Sequence, residues 1–283
     1  MKTSKFLWLP LALFFSMVFM ASASAGNLEP SGPPGPTMKS MDQVEPRTPI
    51  SSVPITIDQP GSYYLTGNMT VPGSNGIHVV VSDVTIDLMG YSLASTENTG
   101  RGVYIEAENV EIRNGTVRGF HVGITGGAGL RIYNISALEN GWAGILVQNS
   151  SIVRNCLVKS NVGYGIGGQD GNVIVDNIVD SSQIGIGTGS GNVITGNTVV
   201  HNHQGILVSD ANRVVGNTAL ANYHSGFRVG SGNTVIGNAG KDNESYGLSF
   251  YGGNNLVDQN TFTGNGTNMD SCSTCTFGLN HAP

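Results

Sequence analysis

The sequence predicts an all-β chain that winds as a solenoid, a single-stranded parallel β-helix of about nine coils with 20–21 residues each. The first observation behind this prediction is a glycine followed by an apolar residue, which recurs at Gly76, Gly102, Gly123, Gly144, Gly165, Gly185, Gly205, Gly226 and Gly247. The steps are 26, 21, 21, 21, 20, 20, 21 and 21 residues. A fixed period of this length is typical of repeat architectures, in which each unit buries its apolar face against the next.

The second observation is that asparagines recur with the same period in three columns. The first column is Asn114, Asn134, Asn155, Asn177, Asn197, Asn217, Asn238 and Asn260. The second is Asn109, Asn172, Asn192, Asn212, Asn233 and Asn254. The third is Asn140, Asn161, Asn202, Asn222, Asn243 and Asn265. Stacked coils would place equivalent residues about 4.8 Å apart, the strand spacing, so that their amides can bond along the stack as an asparagine ladder.

Composition supports a folded, turn-rich β protein. Apolar residues make up 39% of the chain and charged residues 11%, with 41 glycines among 283 residues. A leucine-rich repeat has a similar period, but it would need the Leu-x-x-Leu-x-Leu pattern and a helical segment in each unit, and neither is present. A β-propeller would need about 40 residues per blade, which does not fit this period. The net charge is −6 and no basic stripe is present, so we expect no nucleic-acid partner.

The N-terminal segment has the pattern of an export signal. Lys2 and Lys5 precede an apolar run that ends at Met20, and Ala23 and Ala25 occupy small-residue cleavage positions. We expect a signal peptide over residues 1–25, a proline-rich linker over 26–49, N-terminal cap strands over 50–75, the β-helix over 76–268 and a C-terminal tail over 269–283. The mature chain is then secreted or periplasmic, without a membrane segment after cleavage, and we expect a monomer.

The repeat resembles a known superfamily. The alternation of G-I-x-V with N-x-I-x-x-N-x-V over residues 76–268 is similar to the right-handed β-helix repeat of the pectin-lyase-like proteins. Residues 42–50 and 60–67 resemble the N-terminal region of uncharacterised bacterial exported β-helix proteins. The resemblance implies a right-handed helix. It leaves activity open, because this fold hosts lyases, hydrolases, epimerases, adhesins and a periplasmic protein that helps to mature copper sites. No cofactor is predicted, and calcium enters only by analogy with the superfamily.

Aromatic or histidine residues recur in the turn before the glycine on successive coils from Phe120 to Tyr246, with one gap at Gln183 and Ile184. Trp142, Tyr164, Tyr223 and Tyr246 are the predicted substrate-binding residues. Stacked, they would form a stripe of rings along one edge, and sugar rings stack on aromatic faces. The alternative is that the rings pack over a corner of the prism and cover apolar core.

Possible catalytic groups lie near that stripe, namely Asp180, His201, His203 and His224. A histidine–carboxylate pair can act as general base and acid at a uronic acid. The same histidines could instead bind a transition metal or simply lie on a solvated turn. Elsewhere, Asp87 with Arg113 and Arg154 with Asp176 are expected to form cross-strand ion pairs.

The chain contains three cysteines. Cys272 and Cys275 are a disulfide candidate, with free thiols or half of a metal site beside His281 as alternatives. Cys156 replaces an apolar residue and is expected to be buried.

Three classes of function remain. The first is an exported protein that binds or modifies a polysaccharide or cell-surface glycan along an edge of the solenoid; if it is an enzyme, it is a polysaccharide lyase, a hydrolase or a uronate epimerase. The second is a structural or adhesive surface protein without catalysis. The third is a periplasmic metal-handling protein.

Overall fold

The computed structural model describes residues 47–283, and within them all regular structure is β-strand. The strands, in chain order, are β1 (Thr48–Ile50), β2 (Ile55–Ile57), β3 (Gly61–Leu65), β4 (Met69–Val71), β5 (Ile77–Val79), β6 (Val84–Asp87), β7 (Ser92–Ser95), β8 (Arg101–Ile105), β9 (Val110–Arg118), β10 (Val122–Gly126), β11 (Arg131–Leu138), β12 (Ala143–Val147), β13 (Ile152–Arg154), β14 (Leu157–Lys159), β15 (Tyr164–Gly168), β16 (Val173–Val175), β17 (Ile178–Asp180), β18 (Ile184–Thr188), β19 (Val193–Thr195), β20 (Thr198–Val200), β21 (Gln204–Val208), β22 (Arg213–Val215), β23 (Thr218–Leu220), β24 (Ser225–Val229), β25 (Thr234–Ile236), β26 (Ala239–Lys241), β27 (Tyr246–Phe250), β28 (Leu256–Asp258), β29 (Thr261–Thr263), β30 (Thr267–Met269) and β31 (Thr276–Phe277). No helix within residues 47–283 is long and apolar enough to cross a membrane.

One face of the solenoid, called face 1, is a parallel sheet of eleven strands in the order β2-β5-β8-β10-β12-β15-β18-β21-β24-β27-β30. Each strand belongs to one coil, so the described chain has eleven coils, two more than the nine that the glycines indicate. The two uncounted strands are β2, which follows Pro54 instead of glycine, and β30, in which a polar Thr267 follows Gly266. The all-β parallel solenoid is confirmed.

The other two faces join into one sheet of twenty strands. Face 2 contains the first strand after each face 1 strand, for example β13, β16 and β19, and face 3 contains the next one, for example β14, β17 and β20. Strands β9 and β11 are long enough to run through both faces, pairing with each other from Glu111–Arg131 to Arg118–Leu138. The cross-section is therefore a three-sided prism.

The segments assigned to a cap and to a tail also take part in the stack. Within residues 50–75, β2 pairs in parallel with β5, β3 with β6 and β4 with β7. At the other end β31 pairs with β28, and His281 forms a parallel bridge with Thr261. The signal peptide and nearly all of the linker lie outside the described residues.

The core consists of apolar columns that run the length of the prism. Ile145, Ile166, Ile186, Ile206 and Phe227 are aligned on successive face 1 strands, and all are fully buried. Burial of such side chains is the main favourable term in the folding of the chain.

The recurring position must be glycine because the next coil leaves no room for a side chain. A Cβ built on Gly144 would lie 2.9 Å from the carbonyl oxygen of Gly165 in the next coil and 2.9 Å from Nδ2 of Asn161. Real Cβ atoms are rarely this close to backbone, so any side chain here would push neighbouring coils apart. This contact recurs once per coil, which explains the period.

Three inward asparagine ladders occupy the three corners of the described prism. Their members are Asn177, Asn197, Asn217, Asn238, Asn260 and Asn280 between faces 2 and 3; Asn140, Asn161, Asn202, Asn222, Asn243 and Asn265 between faces 3 and 1; and Asn172, Asn192, Asn212, Asn233 and Asn255 between faces 1 and 2. In each, Oδ1 accepts the backbone N–H of the preceding coil, so buried backbone groups at the turns are satisfied.

Some asparagines assigned to the ladders are in a neighbouring register. Asn114, Asn134 and Asn155 have positive φ angles between 53° and 59° and lie one position before the ladder. Cys156 takes the inward position instead, its N–H donating to Asn177 at 3.0 Å. In the same way Asn109 and Asn254 have positive φ angles, and Asn255 carries the ladder.

One of the two expected ion pairs is present. Nε of Arg113 lies 3.1 Å from Oδ2 of Asp87. The pair of Arg154 with Asp176 is wrong by one residue, because Arg154 is aligned with Val175 and its guanidinium lies 5.5 Å from the ring centre of Tyr133.

Candidate functional site

A groove of about 630 Å³ lies on the outside of face 1 and is here called the central groove. It crosses β10, β12, β15, β18 and β21, which is four strand spacings or about 19 Å. Its lining is Thr125, Gly126, Leu146, Val147, Gln148, Tyr164, Gly167, Gly168, Gln169, Asp170, Gly187, Thr188, Gly189, Leu207, Ser209 and Tyr251. The groove thus runs along the solenoid axis, across the strands.

The floor of the central groove depends on a pair of glycines. Gly167 and Gly187 are directly aligned on β15 and β18, with Leu146 and Leu207 aligned before and after them. A Cβ on Gly187 would lie 2.6 Å from Cε1 of Tyr164, so the tyrosine ring lies against the bare backbone of the next coil. Because these two positions lack side chains, the sheet surface is open between the two leucines.

A simple positional rule would have found this surface. In the G-I-x-V motif the residue two after the recurring glycine points out of face 1. Read along the chain, this outward column is His78, Tyr104, Thr125, Leu146, Gly167, Gly187, Leu207, Arg228 and Ser249. The predicted binding residues lie instead in the turn before the glycine, and of these Tyr164 alone is among the residues that line the central groove.

The predicted aromatic residues do not form one continuous line. Trp142 and Tyr164 contact each other edge to face, with 5.9 Å between ring centres. Tyr223 lies three coils further on, and Tyr246 is aligned with Ser225 on face 1. Trp142 is 44% exposed and Tyr223 57% exposed, so these two rings point into solvent, whereas Phe120 of the same turns is fully buried and covers the core.

A second, shallower cavity of about 440 Å³, the corner groove, lies where face 3 turns into face 1. His201, His203 and Tyr223 line it together with Gln183 and Val162. His224 is outside this lining. Its ring stacks on that of His203 at 5.8 Å, and its Nδ1 lies 3.0 Å from the hydroxyl of Ser225.

The predicted catalytic carboxylate belongs to a surface ion-pair group. Asp180 Oδ2 lies 2.9 Å from Nζ of Lys159, and Oδ1 lies 3.3 Å from Nδ1 of His201. Burial on its own would raise the pKa of Asp180, but hydrogen bonds from Lys159, Ser181 and His201 outweigh it and lower the pKa. The group is therefore an ionised carboxylate at neutral pH and cannot act as a general acid there. The four predicted catalytic residues are thus neighbours at one corner: His201 contacts Asp180 and lines the corner groove with His203, and His203 stacks on His224.

A further group of titratable side chains, here called the ring cluster, lies on the outside of face 1 near its N-terminal end. His78 and Tyr104 stack with ring centres 4.9 Å apart, and the guanidinium of Arg101 lies 4.3 Å from the ring centre of Tyr104. Nε2 of His78 lies 3.4 Å from Oε1 of Glu106. A hydrogen bond to Glu106 raises the pKa of Tyr104, so the phenol stays protonated.

The ring cluster and the central groove adjoin. Tyr104 and Glu106 line a small cavity of about 380 Å³. This cavity shares Thr125, Gly126 and Gln148 with the central groove. The two cavities therefore form one continuous path along face 1, which is charged at the ring cluster and largely uncharged in the central groove.

The structure shows the bonding state of all three cysteines. Cys272 and Cys275 form a disulfide with 5.4 Å between their Cα atoms. Cys156 is free and buried, and burial raises the pKa of its thiol to about 12. Within residues 47–283, no group of three or more His, Cys, Asp or Glu side chains is arranged to hold a metal ion.

Comparison with known proteins defines the class. Residues 61–187 match the family model described as the right handed beta helix region. The chain therefore has the right-handed parallel β-helix fold that the repeat and its resemblance predicted. No curated protein sequence matches it.

Solved structures with the same fold share little sequence. The A-module of mannuronan C-5 epimerase AlgE6 from Azotobacter vinelandii has a TM-score of 0.62 and 15% identity, covering 84% of this chain and 90% of that module. The AlgE4 A-module from the same organism has a TM-score of 0.56 and 14% identity, covering 79% and 87%. A mutant of the periplasmic alginate epimerase AlgG has a TM-score of 0.55 and 16% identity, covering 78% and 70%. These likenesses concern the fold alone.

Proposed function

We propose that this chain is an exported β-helix protein that binds a polysaccharide along the central groove of face 1. The observation that carries the proposal is the ring of Tyr164 lying over bare backbone at Gly187, inside an open groove that follows the solenoid axis. Aromatic faces and nearby amide groups, here Gln148 and Gln169, are the usual partners of sugar C–H faces and hydroxyls.

The shape of the groove supports an extended chain as ligand. Its floor crosses five parallel strands at a constant spacing, so equivalent backbone surfaces repeat along it. A polymer with its own repeat can lie along such a surface, whereas a small molecule would contact only part of it. Solved neighbours of the fold include alginate epimerases, by their names proteins that act on a polysaccharide.

The proposed location outside the cytoplasm is supported by the disulfide. Cys272 and Cys275 are bonded, and such bonds persist in oxidising compartments. The export signal predicted over residues 1–25 agrees with that location.

The ring cluster favours a second candidate function, modification of the bound glycan. Its histidine, tyrosine and glutamate provide a possible base and acid within one path along face 1. A polysaccharide lyase, a hydrolase or a uronate epimerase would use such groups. If this is so, His78→Ala abolishes product formation while binding through Tyr164 persists.

The binding proposal is tested by affinity electrophoresis of the purified protein in gels cast with different polysaccharides. We expect retardation in at least one gel, lost in Tyr164→Ala. Tyr133→Ala is the matched control, because Tyr133 lies on face 2, away from the groove, with Arg154 over its ring. Equal retardation of both variants, or no retardation in any gel, contradicts the proposal.

A further inference from the structure

The central groove is nearly free of charge. Among the described residues that line it, Asp170 is the single ionisable carboxylate and no lysine or arginine is present. Oδ1 of Asp170 accepts the backbone N–H of Ser190 at 2.7 Å, so the carboxylate is already partly engaged in the turn.

Two arginines near the path each lie over a tyrosine ring. Arg228, in the outward column beside the groove, lies 5.3 Å from the ring centre of Tyr251, which itself lines the groove. Arg101, at the charged end of face 1, lies over Tyr104 in the cluster that also contains Glu106. Neither guanidinium lines the groove floor, and the whole chain has a net charge of −6.

Binding of an acidic polysaccharide in this groove would be unfavourable. A polyuronate has one carboxylate on every sugar, and recognising it in a concave site requires guanidinium or ammonium groups aimed at those carboxylates. Burying them beside Asp170 without such partners would cost desolvation and like-charge repulsion. The lining instead offers two phenol rings, two leucines, two glutamine amides, two threonines and a serine.

We infer that the central groove takes a neutral, extended oligosaccharide, so that this chain differs in ligand charge from the alginate epimerases that share its fold. The inference rests on the proposed function and specifies its substrate class. Of the enzyme classes named above it fits a hydrolase, because polysaccharide lyases and uronate epimerases act on uronic acids. The Tyr164 ring would stack on a sugar face above Gly187, and Gln148, Gln169 and Ser209 would bond hydroxyl groups. The bare backbone at Gly167 and Gly187 lets the chain approach the sheet.

The inference is tested with an array of hexasaccharides in two sets. The neutral set holds glucan, mannan, xylan and galactan fragments, and the acidic set holds mannuronate, guluronate, galacturonate and hyaluronate fragments. The full-length protein, Tyr164→Ala and Asp170→Lys are each measured at low and high salt. We expect the wild type to bind a neutral hexamer at least about tenfold more tightly than any acidic one, with little salt dependence because no ion pair is screened.

The variants make the outcome specific to the groove. Tyr164→Ala should weaken the neutral hexamer by about tenfold, as loss of one aromatic contact does. Asp170→Lys should strengthen binding of acidic hexamers, because it replaces the carboxylate of the groove by an ammonium group. Stronger wild-type binding of an acidic hexamer that depends on Tyr164 overturns the inference and leaves the proposed function standing. Binding of neither set overturns both.

Discussion

Asn217 and Asn238 form a two-pronged contact in which one side-chain oxygen serves two donors. Oδ1 of Asn238 accepts the backbone N–H of Asn217 at 2.9 Å and its Nδ2–H at 3.1 Å. Nδ2 of Asn217 also donates to the carbonyl of Ile194 at 2.9 Å. Both asparagines are 1% exposed, so each contact replaces hydrogen bonds that water would otherwise make.

Substitution of Asn217 by leucine should therefore destabilise the protein. The buried carbonyl of Ile194 loses a donor, and the N–H of Asn197, which donates to Oδ1 of Asn217 at 2.9 Å, loses its acceptor. The expected cost is on the order of 1–3 kcal/mol for the unsatisfied groups, measured by urea unfolding. Thr218→Leu is the control, since that side chain is exposed on face 3; an equal loss in both variants would contradict the role of the ladder.

Acid should selectively weaken the N-terminal coils through Asp87. Burial on its own would raise the pKa of this carboxyl, but hydrogen bonds from Met89 N–H, Asn114 and Arg113 outweigh it, so the pKa is lower than the ordinary 3.8. A lowered pKa stabilises the fold above that value, and the contribution is lost as pH falls below it. Asp87→Asn should therefore destabilise the protein at pH 7 and much less at pH 3.

The measurement is urea unfolding of wild type and variant at both pH values. Asp242→Asn is the control, because Asp242 is 52% exposed and its carboxylate is 3.6 Å from the neighbouring Lys241. If Asp87→Asn shows the same loss of stability at pH 3 as at pH 7, the ionised form of Asp87 is not what stabilises the fold.

The sequence was sufficient for the fold because one steric requirement repeats in every coil. The space at Gly144 is closed by the backbone of the next coil and by Asn161, and an equivalent contact recurs at every period. The sequence was less informative about which asparagine of each coil points inward. Asn155 lies in a left-handed turn and Asn177 lies in the buried ladder, and their places within the coil repeat differ by one position. Because both are asparagines, spacing by itself could not distinguish them.

The candidate site was harder to predict for a related reason. Outward positions of face 1 share no residue type, and the groove is formed by an absence of side chains at Gly167 and Gly187 between Leu146 and Leu207. A glycine there looks in sequence like another turn residue. Only the alignment of coils shows that the two are neighbours and that Tyr164 lies over one of them.

The cysteines predict a stepwise pattern of thiol labelling. With the disulfide intact and Cys156 buried, the native protein should react with no maleimide, since burial keeps the Cys156 thiol protonated and inaccessible. Reduction should expose Cys272 and Cys275, and unfolding should add Cys156. Mass spectrometry counts the labels at each stage, and a label on Cys156 in the folded protein would contradict its burial.

Replacing both Cys272 and Cys275 by serine should have a limited effect. Their loop is short, with a sequence separation of 3, so the chain-entropy estimate for its closure is about 2 kcal/mol. We expect a small fall in Tm and faster hydrogen exchange confined to β28–β31. General loss of protection across face 1 would show that the disulfide stabilises more than the last coil.

Tyr223 distinguishes the corner groove from corner packing. Its ring is 57% exposed and lines the corner groove with His201 and His203. Tyr223→Ala should leave Tm nearly unchanged, because little apolar surface is lost from the core. If the corner also contacts glycan, affinity should fall by about 1–2 kcal/mol. A large fall in Tm with no change in affinity would instead mean that the ring covers the core.

Adding a single methyl group to the central groove gives the most direct test of its shape. In Gly187→Ala the new Cβ would lie 2.6 Å from Cε1 of Tyr164, so the ring must move off the backbone it now covers. The ring lies on the outer surface and can turn away, so the free energy of unfolding should change little. The stacking surface, however, is lost. We expect oligosaccharide binding to weaken by about as much as in Tyr164→Ala, roughly 1 kcal/mol.

The double variant should bind the oligosaccharide no more weakly than either single variant, since both substitutions remove the same contact. Gly67→Ala is the matched control, because a Cβ there meets nothing within 4 Å. Calorimetric titration of the wild type and the four variants against the hexasaccharide that binds best is the measurement. Additive losses in the double variant would show that Tyr164 and Gly187 act on separate contacts, and the stacking geometry proposed for this groove would be wrong.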